Sequence, residues 1–172
     1  MRRLRYNVAM SLDGYIAGPN GEYDWITMDP TIDFGALFSE FDQFLMGRKT
    51  FESLRAQGPN NPTTGMDVVV VSRTLAPADF PEVTILADGV ADAISALKDR
   101  PGKDIWLFGG GALFRGLLDA HLVDRVEVAI MPVLLGRGIP LLPLGEPSHT
   151  LRLARSKTLP SGIVMLAYDV NN

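Results

Sequence analysis

Cysteine is absent from this sequence, and histidine occurs only twice, as His121 and His149. Without cysteine the chain has no disulfide, no thiolate nucleophile and no cysteine-ligated zinc or iron–sulfur site. Two histidines are a poor basis for a metal centre built on clustered imidazoles, so we expect no metal site.

Positive charge and long hydrophobic runs are also scarce. The net charge is −4 and the basic residues form no stripe, which argues against a nucleic-acid partner. Glu127 and Pro132 interrupt the longest apolar region, so no segment reaches the length of a membrane span. The N-terminal apolar segment is short and is broken by Asn7, Ser11 and Asp13, unlike a signal peptide. We therefore expect a cytoplasmic protein that binds neither nucleic acid nor membrane.

What is present is an alternation of apolar runs and helical periodicities over 172 residues, with 47% hydrophobic and 21% charged residues. This composition and length predict one α/β domain over residues 1–172. Predicted strands cover residues 4–10, 44–46, 67–71, 83–86, 105–108 and 125–135, and the 67–71 strand is expected to be central. Predicted helices cover 31–40 with Thr31 as N-cap, 47–54, 90–97 and 112–118; residues 56–66 are expected to be a loop. Segments 151–159 and 163–170 predict a closing antiparallel hairpin on a mostly parallel sheet with helices on both faces.

A predicted strand meets three consecutive glycines, Gly109, Gly110 and Gly111, before a helical pattern that begins at Ala112. Such glycines allow positive φ and let a ligand approach the backbone, while the first N–H groups of the helix suit a phosphate. The alternative is a tight turn with no ligand. The segment does not match a Rossmann fingerprint, because Phe114 stands where its third glycine should be and the next strand has no acidic ribose partner.

Two further polar segments follow predicted strands: Gly47, Arg48, Lys49 and Thr50 after the second, and Ser72 and Arg73 after the third. Ligands of open α/β sheets bind outside the carboxyl ends of the strands, where these segments would lie. Charge-assisted hydrogen bonds from Arg48, Lys49 and Arg73 would hold one further phosphate and so select NADPH over NADH. The alternative for each cation taken alone is a solvated surface charge.

Two aromatic residues, Tyr23 and Trp25, lie in a polar loop after the first strand. They fit either a lid that stacks on a planar ligand or ordinary packing of the loop.

Five segments follow one another along the chain: VAMSLDGYIAGPNGEYDW, FLMGRKTFES, VVVVSRTL, DIWLFGGGALFRGLL and PVLLGRGIPLL. As an ordered set they resemble the dihydrofolate reductase-like superfamily, closest to stand-alone relatives of the reductase domain of bacterial bifunctional riboflavin-biosynthesis proteins. The resemblance implies a three-layer α/β/α fold with NADPH as hydride donor. It also implies cofactor-binding residues: Gly47, Arg48, Lys49 and Thr50 at the phosphates, Ser72 and Arg73 at the 2′-phosphate, and Gly109, Gly110, Gly111 and Ala112 at the pyrophosphate.

The same resemblance implies two catalytic candidates. Asp13, in the Ser-Leu-Asp-Gly turn, would bind or protonate the substrate, and Asp33 lies near the place where an acid serves the pterin ring. Each has a structural alternative, because Asp before Gly forms turns and Asp near a helix start interacts with the helix dipole. With no histidine at a strand end, the proton would come from an aspartate or from water ordered by it.

The implied function is reduction of a pyrimidine- or pterin-like small molecule by NADPH. The first candidate is an activity like that of 5-amino-6-(5-phosphoribosylamino)uracil reductase in riboflavin biosynthesis; the alternatives are dihydrofolate reduction and a catalytically idle nucleotide-binding or dimerisation module. Because the sequence has no cysteine, we expect no zinc deaminase half. The loop at 18–29 differs from that of both enzymes. Because related domains pair and the last strands would leave an exposed β edge, we also expect a homodimer.

Overall fold

A computed structural model describes residues 1–58, 62–63 and 65–171. The strands are β1 (Leu4–Ser11), β2 (Tyr15–Ala17), β3 (Phe41–Gly47), β4 (Asp67–Val71), β5 (Thr84–Leu86), β6 (Asp104–Leu107), β7 (Arg125–Met131), β8 (Ile139–Pro140), β9 (Leu151–Thr158) and β10 (Val164–Val170). The helices are α1 (Phe34–Ser39), α2 (Arg48–Ala56), α3 (Val90–Asp99) and α4 (Gly111–Asp119), with a 3₁₀ turn at Pro77–Asp79. Within these described ranges, no helix is both long enough and apolar enough to cross a bilayer.

One sheet contains the strands in the order β5-β4-β3-β6-β1-β7-β10-β9. All pairings from β5 to β7 are parallel, and β10 pairs antiparallel with both β7 and β9. The predicted mostly parallel sheet with an antiparallel C-terminal hairpin is therefore confirmed. The strand at 67–71 is buried at Val68, Val69 and Val70 as expected, but it lies next to the edge strand β5 and not at the centre.

The two faces of the sheet carry separate hydrophobic clusters, because successive side chains of a strand point to opposite faces. On one face Tyr6 of β1 packs in a cluster with Ile94 of α3 and Phe114 of α4. On the other face Trp106 of β6 packs in a cluster with Phe51 of α2. Helices thus cover both faces, which confirms the three-layer α/β/α fold.

Some predicted boundaries were wrong. Helix α1 begins at Phe34, and its N-cap is Asp33, because Thr31 is instead hydrogen-bonded through its backbone N and hydroxyl to the Asp29 carboxylate. Strand β7 ends at Met131, since the following Pro132 has no N–H for a ladder bond. The predicted turn at 136–140 contains β8, which pairs with β2 in a small second sheet. The predicted loop at 56–66 starts at the last residue of α2, and its positions 59–61 and 64 lie outside the described residues.

Tyr6 carries a buried hydroxyl that has no hydrogen-bond partner among the described residues. Its ring stacks on Phe114 with centroids 3.9 Å apart, and burial raises the pKa of the phenol. An unpaired buried polar atom costs folding free energy, so Tyr6→Phe is expected to raise the free energy of unfolding by about 1 kcal/mol, measured by urea denaturation. Tyr6→Leu, which also removes the stacked ring, should lower it. A loss of stability in Tyr6→Phe would mean that the hydroxyl does have a partner.

Candidate functional site

The glycine-rich and basic segments lie side by side at one edge of the sheet. Strands β4, β3 and β6 are consecutive neighbours and run parallel, so the turns that follow them share the edge at their carboxyl ends. The contact between two of these turns is close: a Cβ placed on Gly109 would lie 3.3 Å from Thr50 Oγ1. The structure thus brings together segments that the sequence separates by about sixty residues.

Three helices that begin at this edge have a glycine as N-cap and no side-chain cap: α2 at Gly47, α3 at Gly89 and α4 at Gly110. The first N–H groups of a helix have no intrahelical acceptor, so uncapped starts attract anions. Helix α1 differs, because Asp33 caps it. Gly109 and Gly110 have φ of +70° and +85°, values that favour glycine. The arrangement suits a ligand with several phosphate groups.

Gly111 is glycine for a different reason. Its φ is not positive, and an added Cβ would lie 2.7 Å from the carbonyl oxygen of Pro140 and 3.1 Å from that of Leu141. The segment after β8 therefore packs directly on the start of α4. For this third glycine, close backbone packing explains the residue without any ligand.

The predicted cations at this edge are weakly engaged. Arg48 contacts Glu52 at 3.0 Å, and Arg73 lies 3.8 Å from Asp88. The side chains of Arg73 and Asp88 are both more than four-fifths exposed. Lys49 is exposed as well. Ion pairs between exposed side chains contribute little, so neither guanidinium is held away from an anion. A cation that is simply solvated at the surface would be exposed in the same way. The binding of cofactor phosphates by these cations therefore stays a prediction.

Ser72 has a local structural role. It is buried, and its Oγ accepts hydrogen bonds from the backbone N–H of Thr74 at 3.2 Å and of Leu75 at 3.1 Å. These bonds form a tight turn directly after β4. Arg73, at the second position of that turn, consequently points away from the core and is exposed.

A cleft of about 260 Å³ lies between α3 and α4, next to this edge. Its lining is mostly apolar and comprises Val71, Val90, Ala91, Ala112, Leu113, Gly116 and Leu117. Of these residues, only Ala112 is a site residue predicted from the sequence. Apart from small side chains on two helices, no local signal marks such a cleft, because it exists only where the helices face each other. Its apolar lining suits a flat ring.

Asp13 closes a turn. Its carboxylate accepts hydrogen bonds from Ser11 Oγ at 2.6 Å and from the backbone N–H of Leu135 and Gly136 at 3.1 and 2.7 Å. These bonds, that of Ser11 above all, lower the pKa of Asp13 to about 2. The carboxylate is therefore ionised at neutral pH and has no proton to donate, and its contacts agree with the turn-forming alternative.

Asp33 also has a structural partner. Its Oδ1 accepts the backbone N–H of Ala36 at 2.9 Å, the usual N-cap hydrogen bond. Asp33 therefore acts as the N-cap of α1, which is the structural alternative given for it above. Its contact with a substrate ring stays a prediction.

The aromatic loop is packed at one end. Trp25 donates its indole N–H to the carbonyl of Glu22 at 3.1 Å, and its ring packs against a small cluster on the α1 side of the sheet that includes Met131 and Ile163. Tyr23 is half exposed. Loop packing therefore accounts for Trp25, whereas a stacking role for Tyr23 stays a prediction.

Asp29 is a buried carboxylate that the sequence analysis did not single out. It accepts hydrogen bonds from Thr31, through both the backbone N and the hydroxyl, and from the backbone N of Ser161 at 3.1 Å. Hydrogen bonds from Ser161 and Thr31 hold its pKa far below the usual range. Asp29 thus ties the loop before α1 to the turn of the terminal hairpin.

Comparison with known proteins agrees with this architecture. The family model described as the RibD C-terminal domain matches residues 2–165. The chain belongs to the RibD C-terminal domain family. The sequence resemblance described above is thereby confirmed.

The curated relatives include one protein of nearly the same length and one that is more than twice as long as the matched segment. The uncharacterized protein YyaP of Bacillus subtilis (strain 168) is 35% identical over 181 residues, covering 99% of this chain and 96% of that protein. Riboflavin biosynthesis protein RibD of Corynebacterium ammoniagenes is 28% identical over 148 residues, which cover 78% of this chain but only 44% of that protein.

Solved structures show the same fold. A riboflavin biosynthesis-like protein from Shewanella sp. PV-4 has a TM-score of 0.84 and 26% identity, with each chain covered completely. The deaminase/5-amino-6-(5-phosphoribosylamino)uracil reductase of Thermotoga maritima has a TM-score of 0.74 and 19% identity, covering 99% of this chain and 57% of that one. The fold of this RibD C-terminal domain protein therefore matches a little more than half of the Thermotoga chain.

Proposed function

We propose that this protein is an NADPH-dependent reductase of a pyrimidine-like heterocycle. The observation that carries the proposal is the set of three uncapped, glycine-started helices at neighbouring strand ends, beside an apolar cleft. A dinucleotide needs several anion-binding groups together with a flat apolar site for its base. Membership of a reductase-domain family supports the same conclusion.

The residues at this edge fit the parts of the cofactor. The α3–α4 cleft would take the adenine ring, and Arg73 beside it would take the 2′-phosphate that distinguishes NADPH from NADH. The glycine turn before α4 and the start of α2 at Gly47 would hold the pyrophosphate. When bound, NADPH would supply the hydride that reduces the substrate.

The protein's own contribution would be to orient the two reactants and to give a proton access to the heteroatom of the substrate that is reduced. Since Asp13 is ionised at neutral pH, the proton would come from water, which this carboxylate could at most orient. The first substrate candidate is the phosphoribosylaminouracil named for the Thermotoga enzyme. Turnover with dihydrofolate instead would favour the second candidate, and cofactor binding with no turnover of either would favour an idle module.

Cofactor selectivity provides the direct test. Titration by calorimetry should show NADPH binding more tightly than NADH, and Arg73→Ala should weaken NADPH binding about tenfold, the worth of one charge-assisted contact, while leaving NADH binding unchanged. Arg100→Ala, an equal change of charge just after the far end of α3, is the matched control and should change neither affinity. Failure of the unmodified protein to bind either cofactor would overturn the proposed function.

We also propose that two copies pair through the edge strand β9. All eight of its residues are exposed, and its register with β10 places Leu151 and Leu153 together on the sheet face opposite α1. An edge strand with exposed leucines is normally covered, and a second copy is the simplest cover. Light scattering at micromolar concentration should give a dimer, and Leu153→Lys should give a monomer. A monomeric unmodified protein would exclude this interface.

A further inference from the structure

One irregular segment runs along the length of α4. Residues 141–149 lie between β8 and β9, and we call them the α4 strap. At the start of the helix the strap packs closely, because a Cβ on Gly111 would lie 3.2 Å from Pro143 Cδ. At the end of the helix, His149 of the strap contacts Asp119. These two helix positions are about 12 Å apart at the rise of an α-helix, so the strap contacts α4 at both ends.

The conformation of the α4 strap does not come from its own backbone. Among the described residues, no backbone–backbone hydrogen bond involves positions 142–149, although the strands on either side are paired with their neighbours. Most side chains of the strap are exposed, and the three that are not are Leu141, Pro143 and His149. Contacts with α4 therefore hold this segment in place.

Three residues form the contact at the end of α4, which we call the far-end clamp: Arg115, Asp119 and His149. Asp119 accepts a hydrogen bond from Arg115 Nε at 2.8 Å, and its other oxygen lies 2.9 Å from His149 Nε2. Arg115 also donates from Nη2 to the carbonyl of Pro147 at 3.2 Å, which adds a second link to the strap. The side chains of Arg115 and His149 are only 12% and 10% exposed, so the clamp is largely shielded from water.

Asp119 is an unfavourable residue for its place in the helix. It is the last residue of α4, where the helix dipole disfavours a negative charge. Its pKa is nevertheless lowered, because Arg115 and His149 both hydrogen-bond to the carboxylate. Since an ionised carboxylate can only accept hydrogen bonds, His149 Nε2 carries the proton. The link to the strap explains this acid, whereas the stability of the helix alone does not.

Helix α4 contributes to both parts of the proposed cofactor site. Its first N–H groups belong to the glycine turn. It also supplies one wall of the α3–α4 cleft, through Ala112, Leu113, Gly116 and Leu117. A helix of this length is rigid, so a contact that fixes its last turn also fixes the place of its first turn. Because binding sites work poorly when they are loose by about 1 Å, the far-end clamp can affect cofactor binding without touching the cofactor.

We propose that the far-end clamp is a positioning element of the cofactor site, in which His149 acts through Asp119 to hold the start of α4 in its anion-binding position. The inference rests on the proposed reductase function and adds to it residues outside the glycine turn and the cleft. Because coupling between two sites is reciprocal, ligand binding at the start of α4 also strengthens the contact between Asp119 and His149. His149 is thus a positioning residue and takes no part in the reaction itself.

Calorimetric titration of the full chain with NADPH tests the first consequence. His149→Ala should weaken NADPH binding about fivefold, at the lower end of typical couplings between sites. His149→Gln should restore the affinity to within about twofold, since the glutamine amide offers an N–H donor in place of Nε2. His121→Asn is the matched control, because it removes the other, exposed imidazole, and asparagine tolerates the φ of +56° at that position. It should leave the affinity unchanged.

Nuclear magnetic resonance of the imidazole rings tests the reciprocal effect. The chain has only two histidines, so His121→Asn assigns the signal of His149. At constant pH, saturating NADPH should shift the ring signal of His149 in the unmodified protein, and so should inorganic pyrophosphate, which has no ring current. The signal of His121, just past the same end of α4, should stay unchanged and so controls for the long-range field of the ligand charge. A histidine that only stabilised the fold would not respond to the ligand.

The proposal is overturned if His149→Ala binds NADPH as tightly as the unmodified protein, or if His149→Gln is no better than His149→Ala. It is also overturned if the His149 signal does not move when a ligand is bound. This last measurement uses the unmodified protein, so it stands even if His149→Ala does not fold.

A separate measurement distinguishes failure of the clamp from failure of the reductase function. If the unmodified protein does not bind NADPH, the proposed function is rejected, and hydrogen exchange in the free protein then decides on the clamp. Phe114 N–H donates to the carbonyl of Gly110 at 3.0 Å, at the first turn of α4. Faster exchange of the amides at 114–116 in His149→Ala would support the clamp, and unchanged exchange there would reject it.

Discussion

Replacement of Arg5 by methionine is expected to lower the free energy of unfolding by about 3–5 kcal/mol, the largest effect of any single substitution considered for this protein. The Arg5 side chain is 3% exposed and forms a two-bond pair with Glu127, and it also reaches Glu40 at 2.5 Å and Asp104 at 3.3 Å. Methionine would fill the space of the aliphatic stem but would leave the Glu127 carboxylate buried without its cation. Such an uncompensated charge is what makes breaking a buried pair costly.

The partner substitution serves as the control. Glu127→Leu should cost less than Arg5→Met, because Arg5 would keep Glu40 and Asp104. The double variant, Arg5→Met with Glu127→Leu, should recover much of the loss, since it buries no unpaired charge. Urea denaturation of the four proteins measures these differences. A double variant no more stable than Arg5→Met would show that the loss comes from packing and not from the buried, unpaired Glu127 carboxylate.

The second large effect concerns two glycines of the same helix, α4. Gly111→Ala should lower the free energy of unfolding by about 2 kcal/mol, because the new Cβ would meet the backbone oxygen of Pro140 at 2.7 Å and one of the two segments must move. Gly116→Ala should instead raise it by about 0.5–1 kcal/mol, since a Cβ there meets nothing within 4 Å and alanine favours the helix. Opposite signs within one helix exclude a general effect of helix propensity.

Thermal or urea denaturation measures both changes, and hydrogen exchange locates the first of them. The amides at 139–143 should exchange faster in Gly111→Ala, because that segment packs on the start of α4. Equal stabilisation of both variants would mean that the Pro140 segment yields at no cost. In that case close packing would not explain why the third residue of the turn is glycine.

The results for Gly111→Ala and Gly116→Ala would also show that the three glycines before α4 are glycine for two different reasons. Gly109 and Gly110 have positive φ, whereas Gly111 is constrained by a segment about thirty residues further along the chain. The sequence resemblance predicted a cofactor contact for all three. Only Gly109 and Gly110 have the positive φ that favours glycine, and this backbone conformation leaves the first N–H groups of α4 exposed.

Local features of the fold followed from the sequence. Alternating and continuous apolar runs predicted the strands of the main sheet, and the Pro-Ser-Gly turn predicted the terminal hairpin, because side-chain period and turn chemistry act over a few residues. The glycines before α2 and α4 likewise marked strand-to-helix turns. Predicted boundaries were wrong where a competing hydrogen-bond partner fixes the conformation of a residue. Thr31, for example, was expected to cap α1, but it is hydrogen-bonded to Asp29 and lies outside the helix.

The parts of the site that depend on strand order and register could come only from the tertiary structure. Asp13 bonds to residues 122 and 123 positions away, and the α3–α4 cleft needs two helices to face each other. The buried Arg5–Glu127 pair likewise depends on the register of β1 with β7. A shift of one residue in that register would turn a side chain to the opposite face. The sequence by itself therefore determined most of the segments that build this protein, together with the glycine-rich turns that are proposed to bind phosphate. Which side chains meet was decided by packing between segments far apart in the chain, because no local pattern encodes a long-range register.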